Sequence, residues 1–74
     1  MNTKQLEYFL ELAQVLNYRR ASERLGITQP TLSKAVEHLE NDLGFPLFAR
    51  SGRSISLTPQ GKTFIPYAQE GLNH

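Results

Sequence analysis

Apolar residues recur at Leu6, Phe9, Leu10, Ala13 and Leu16, the spacing of one face of a helix, with Lys4, Glu7 and Glu11 on the other side. This predicts a first helix capped by Asn2 or Thr3 and ending near Asn17. A short second helix, roughly residues 18–25, puts Tyr18, Ala21 and Leu25 on one face, and Gly26 follows where a left-handed residue closes a helix. Only Gly26, Ile27 and Thr28 separate it from a third helix. There Thr28 is a good cap and Pro30 sits in the first turn, where its missing N–H has no helical partner. Leu32, Val36, Leu39 and Leu43 form the predicted buried stripe, and Gly44 ends the helix. Two helices joined by a three-residue turn containing glycine read as a helix-turn-helix, a spacing that many αα-hairpins share.

Beyond Gly44 the period changes. Ile55 and Leu57 alternate with Ser54, Ser56 and Thr58, as in a half-buried strand. The segment "RSGR" supplies a turn back to a short strand over about 47–50, making a hairpin with arginines at its tip. Thr58 and Pro59 then open a last helix as cap and first residue. Phe64, Ile65, Ala68 and Leu72 form its apolar stripe, and Pro66 inside it should kink or loosen it. We therefore expect a helix-turn-helix unit with its hairpin over 1–58 and a separate helix over 59–74.

Composition narrows the reading. At 74 residues the chain is one domain or part of one, and 39% hydrophobic residues suffice for a core. No apolar run approaches membrane-spanning length, and the charged N-terminus does not resemble a signal peptide. With no cysteine there is no disulfide or thiolate metal site, which fits a reducing cytoplasm. A net charge of +1 conceals an uneven distribution. Residues 18–34 hold Arg19, Arg20, Arg24 and Lys34 against the single acid Glu23, and residues 45–62 hold Arg50, Arg53 and Lys62 with no acid.

On a helical wheel the third helix turns Pro30, Ser33, Lys34, Glu37, His38 and Asn41 outward, with Gln29 and Thr31 at the edges of its first turn. Its N-terminal half carries no acid, whereas later turns carry Glu37, Glu40 and Asp42. A polyanion is therefore accepted at the N-terminal end, which the helix dipole and free N–H groups also favour. Gln29 can pair with adenine and Lys34 with guanine, Ser33 permits close approach, and Thr28 or Thr31 can meet phosphate. Arg19 and Arg20 are placed to contact the backbone, and Arg50 and Arg53 to reach phosphates or the minor groove. The partner this predicts is double-stranded DNA, with helix 28–43 in the major groove and the hairpin over 47–57 beside it.

The stretch from "YFLELAQVLNYRRASERLGITQPTLSKAVEHLENDLGFPLFAR" to "LTPQG" closely resembles the N-terminal domain of LysR-type transcriptional regulators, over about residues 5–67. The resemblance implies a mainly α fold: a winged helix-turn-helix of three helices and a two-stranded wing, followed by a linker helix. It implies base or groove contacts at Gln29, Pro30, Ser33, Lys34 and Arg53. It further implies a homodimer, or a tetramer at full length, joined through the linker helix. Ser22 departs from a usual alanine and Val36 from a common isoleucine, both conservatively. Such regulators carry a C-terminal domain that binds a small-molecule effector, so we expect these 74 residues to be a piece of a longer chain. No cofactor is expected for the piece itself.

Two other classes fit the sequence less well. A protein-interaction module accounts for the amphipathic last helix but not for the basic wing or the acid-free helix end. The last helix has its own reading: Phe64, Ile65, Ala68 and Leu72 should be only partly covered by so small a core. The surplus should pair with a second copy about a two-fold axis, which demands a pseudo-palindromic operator. An enzyme is not expected. His38 and His74 lack partners at a catalytic spacing, and there is no phosphate loop or metal motif.

Overall fold

Each helix begins where a short polar side chain takes up the orphan N–H groups of its first turn. A computed structural model describes residues 1–73 as α1 (Thr3–Val15), α2 (Tyr18–Leu25), α3 (Gln29–Leu43), β1 (Phe48–Ser51), β2 (Ser54–Leu57) and α4 (Pro59–Leu72). Asn2 caps α1 in a reciprocal box: its side chain accepts from the Gln5 N–H at 2.8 Å, and the Gln5 side chain accepts from the Asn2 N–H at 3.1 Å. Asn17, Thr28 and Thr58 cap the other three. Gly26 (φ 72°) and Gly44 (φ 83°) end α2 and α3 in the left-handed region.

The first helix departs from expectation at its end. Leu16 does not extend the buried stripe; it adopts φ 55°, a left-handed conformation costly for a leucine, and is 37% exposed. Its N–H still donates to the Leu12 carbonyl at 2.7 Å, so it turns the chain sharply into α2. The fully buried residue on that side of α1 is instead Leu12.

Two apolar clusters form the core. Leu6, Phe9, Leu39, Leu47, Phe64 and Ala68 join α1, α3 and α4, while Leu12, Ala21, Leu32 and Val36 join α1, α2 and α3. Phe48 packs against both clusters. Phe9 anchors the first through an edge-on contact with Phe64, centroids 5.3 Å apart, and a tilted one with Phe48 at 5.6 Å. Of the stripe expected to be only partly covered, Phe64 and Ala68 are buried in the domain's own core against α1. Of that stripe, Ile65 is half-buried and Leu72 is 36% exposed. The first turns of α4 are packed as part of the domain, and the final residue of the expected 59–74 segment, His74, lies outside the described residues.

The antiparallel wing pairs Phe48 with Leu57, Ala49 with Ser56, Arg50 with Ile55 and Ser51 with Ser54. Gly52 and Arg53 form its two-residue turn, with Gly52 at φ 62°, the positive value a tight hairpin needs at that place. Two contacts hold its base. Glu40 of α3 accepts from the Leu47 and Phe48 N–H groups through one carboxylate oxygen, at 2.7 and 3.2 Å. Thr58 donates its N–H to the Leu47 carbonyl at 3.0 Å and its hydroxyl to the Pro46 carbonyl at 2.7 Å.

Candidate nucleic-acid interface

Side chains alternate across a strand, and directly paired residues share a face. Phe48, Arg50, Ile55 and Leu57 therefore lie on one face of the wing, and Phe48 and Ile55 place that face against the helices. The exposed Ala49, Ser51, Ser54 and Ser56 make the other. This corrects the expected pair of arginines at the hairpin tip. Arg53 is in the turn, but Arg50 lies on the inner face, its guanidinium carbon 4.9 Å from the centre of the Tyr18 ring.

That contact brings three elements together. Tyr18 at the start of α2, Gln29, Pro30 and Ser33 at the start of α3, and Arg50 line one open cleft of about 430 Å³. A neighbouring cleft of about 220 Å³ is lined by Leu16, Asn17, Tyr18, Arg19, Gln29, Arg50, Arg53 and Ile55. Neither carries an acidic side chain. Of the expected site residues, the structure gathers Arg19, Gln29, Pro30, Ser33, Arg50 and Arg53 at these clefts. Arg20, Thr28, Thr31 and Lys34 are exposed outside the lining.

Hydrogen bonding sorts the flanking groups. The Thr28 hydroxyl accepts from the Thr31 N–H at 3.2 Å and donates to the Thr31 hydroxyl at 2.8 Å, so Thr28 is occupied as a cap while Thr31 keeps its own proton to give. Arg19 sits 3.8 Å from Glu23, an exposed pair one turn apart that contributes little. Arg24 is held by Glu11 at 2.8 Å. Arg20, Lys34, Arg50 and Arg53 form no ion pair among the described residues. Burial pushes the Tyr18 phenol above its ordinary value, Arg50 opposing and Glu40 adding to the shift, so it carries its proton at neutral pH.

The model of the family described as "Bacterial regulatory helix-turn-helix protein, lysR family" matches residues 3–62. The chain belongs to the lysR family. Similar curated members include the HTH-type transcriptional regulator IlvR of Caulobacter vibrioides, 46% identical over 97% of this chain. Another is the Hca operon transcriptional activator HcaR of Escherichia coli, 43% identical over 88%. The chain spans only 24% and 22% of those two relatives. Among solved structures, a complex of CbnR_DBD with DNA superposes with a TM-score of 0.93 at 38% identity, covering 99% of this chain and 84% of that one. Full-length OxyR C199D from Pseudomonas aeruginosa gives 0.92 at 41% identity, covering 99% of this chain and 25% of that one. The winged-helix arrangement expected of a lysR domain is the one observed.

Three residues of this lysR domain escaped the sequence reading. Glu40 was counted with the acids that repel a polyanion, yet it is turned into the wing base. Tyr18 was placed only on one face of the second helix with Ala21 and Leu25, yet it lines both clefts. Gly61 was only part of a family motif, yet a Cβ there would collide with the Leu47 carbonyl oxygen. Strand parity around a two-residue turn was the available signal for Arg50, and hence for its contact with Tyr18. Nothing local marks Glu40.

Proposed function

We propose that this domain binds double-stranded DNA sequence-specifically as the reading head of a bacterial transcriptional regulator. The observation that carries this is the acid-free pair of clefts where the start of α3 meets Arg19, Arg50 and Arg53 from two other elements. The N-terminal turns of α3 enter the major groove, with Gln29, Pro30, Ser33 and Lys34 at base edges. Arg53, projecting from the wing turn, takes the adjacent minor groove or backbone. Arg19, Arg20 and Thr31 fix the register on phosphates. The solved complex of CbnR_DBD with DNA, at 38% identity, supports the same use of the fold.

The chain acts as a binding module without catalysis, in the cytoplasm, and no helix among the described residues is long and apolar enough to cross a membrane. Pairing of two copies through the uncovered flank of α4 would set two reading heads on a pseudo-palindromic operator, with tetramers and a small-molecule effector belonging to a longer chain.

The test is selection from random duplexes followed by mobility shifts across salt. Gln29→Ala and Lys34→Ala should each cost about 1–3 kcal/mol on the selected site and relax preference at one base. Arg20→Ala should weaken all sequences alike and reduce the salt slope by about one unit. Equal losses on specific and random DNA for the first two would refute the assignment of readers.

A further inference from the structure

Tyr18 is the one aromatic side chain shared by the two clefts. It is half-buried as the first residue of α2, packed against the cluster of Leu12, Ala21, Leu32 and Val36. A tyrosine used only for packing would bury its hydroxyl on a partner or gain nothing over phenylalanine. Here the hydroxyl gives its proton to no acceptor among the described residues, Arg50 being the one side chain that donates towards its oxygen, and no buried polar side-chain atom is left without a partner. The oxygen is therefore open to solvent. The Arg50 guanidinium over the ring fixes a full positive charge beside that hydroxyl, and Gln29 and Ser33 stand across the same cleft.

A neutral O–H donor next to a cation held over its own ring is a receptor for one anionic oxygen. We propose that Tyr18 is itself a DNA contact: its hydroxyl donates to the backbone phosphate that Arg50 neutralises, the two forming a single clamp between the recognition helix and the wing. The ring contact favours one placement of the exposed guanidinium, which lowers the ordering cost of the Arg50 contact. The phenol keeps its proton through neutral pH because burial outweighs the pull of Arg50, so the donor is present under ordinary conditions. The clamp reads no base; it sets how far the wing sits from the groove that α3 enters.

The proposal rests on the DNA-binding reading, and the two can fail separately. Binding of duplex DNA by the unaltered chain is measured first, across salt, with Tyr18→Phe, Tyr18→Leu and Arg50→Ala beside it and thermal unfolding of each. Tyr18→Phe keeps the ring and the cation contact, so it should unfold like the parent. It should lose about five-fold in affinity on every sequence, the worth of one hydrogen bond. Its salt slope should be unchanged, because a neutral donor releases no counterion, whereas Arg50→Ala should lower the slope by about one unit. In Tyr18→Leu the loss should exceed that of Tyr18→Phe, and Tyr18→Phe should have little further effect once Arg50 is alanine. If the unaltered chain binds DNA and Tyr18→Phe binds equally well at every salt concentration, the clamp is wrong while the wider reading stands. If the unaltered chain does not bind duplex DNA at all, both fall.

Discussion

Gly61→Ala places a methyl group where the structure has no room. Gly61 is the third residue of α4, and an ideal Cβ there would fall far inside contact distance of the Leu47 carbonyl oxygen, with the Leu47 carbonyl carbon at 3.1 Å and Leu57 Cδ2 at 3.0 Å. The obstacle is backbone, and it is pinned: the same carbonyl accepts the Thr58 N–H at 3.0 Å, while the Leu47 N–H is held by Glu40. Relief requires the start of α4 to withdraw from the wing base. That forfeits the Thr58 hydrogen bond, about 1 kcal/mol, on top of about 1–3 kcal/mol for an overpacked methyl. Against this, alanine gains at most about 1 kcal/mol over glycine in a helix. The clash wins, and the net loss should be about 2 kcal/mol, or roughly 8–16 °C in Tm for a domain of this size. Gly71→Ala is the internal control. Its Cβ would meet only Leu6 Cδ1 at 2.8 Å, the end of a side chain that can rotate, so propensity and crowding should nearly cancel. Urea unfolding followed by circular dichroism compares the two. If Gly61→Ala proves as stable as Gly71→Ala, the close approach between α4 and the wing base is not what the structure implies.

Glu40→Ala leaves the Leu47 and Phe48 N–H groups without their acceptor and should cost about 2–3 kcal/mol, whereas Glu40→Gln keeps a carbonyl oxygen in place and should cost less than half of that; equal losses in chemical unfolding would show that charge, not acceptance, matters there. Leu72→Asp, on the part of α4 left uncovered by the core, should weaken self-association in sedimentation over a wide concentration range with little change in unfolding, while a chain that is monomeric before and after the change would remove α4 as a pairing surface.

What could be read from the chain alone was whatever is decided within a few residues. Thr28 and Thr58 cap their helices as expected because a hydroxyl reaches an N–H three residues on wherever the rest of the fold lies. Gly26 and Gly44 likewise close helices for a reason local to the backbone. Periodicity also found the apolar face of α4, but a stripe looks the same whether α1 or a second copy covers it. Phe64 and Ala68 are taken by the core they share with α1, the partial cover expected of the stripe, but spacing could not say which of its residues the core would take. Leu16 misled for the opposite reason: it continues the helical spacing, yet it takes a positive φ and ends α1 there, which no local preference of a leucine marks.

The candidate site divides along the same line. Gln29, Pro30 and Ser33 were legible because one helix carries them, and helical geometry alone brings them to one surface. Arg50 and Tyr18 are 32 residues apart, and their meeting depends on the wing's register. A single-residue slip would send Arg50 to the outer face with Ala49's neighbours and bring Ser51 inward instead. Register is set at both ends of the hairpin, by the Gly52–Arg53 turn and by Glu40 and Thr58 at its base. The acid of α3 that seemed placed to repel DNA therefore has a second consequence. By fixing where β1 begins, Glu40 decides which arginine stands over Tyr18 and which projects from the tip, and so how charge is shared between the cleft and the groove beyond it.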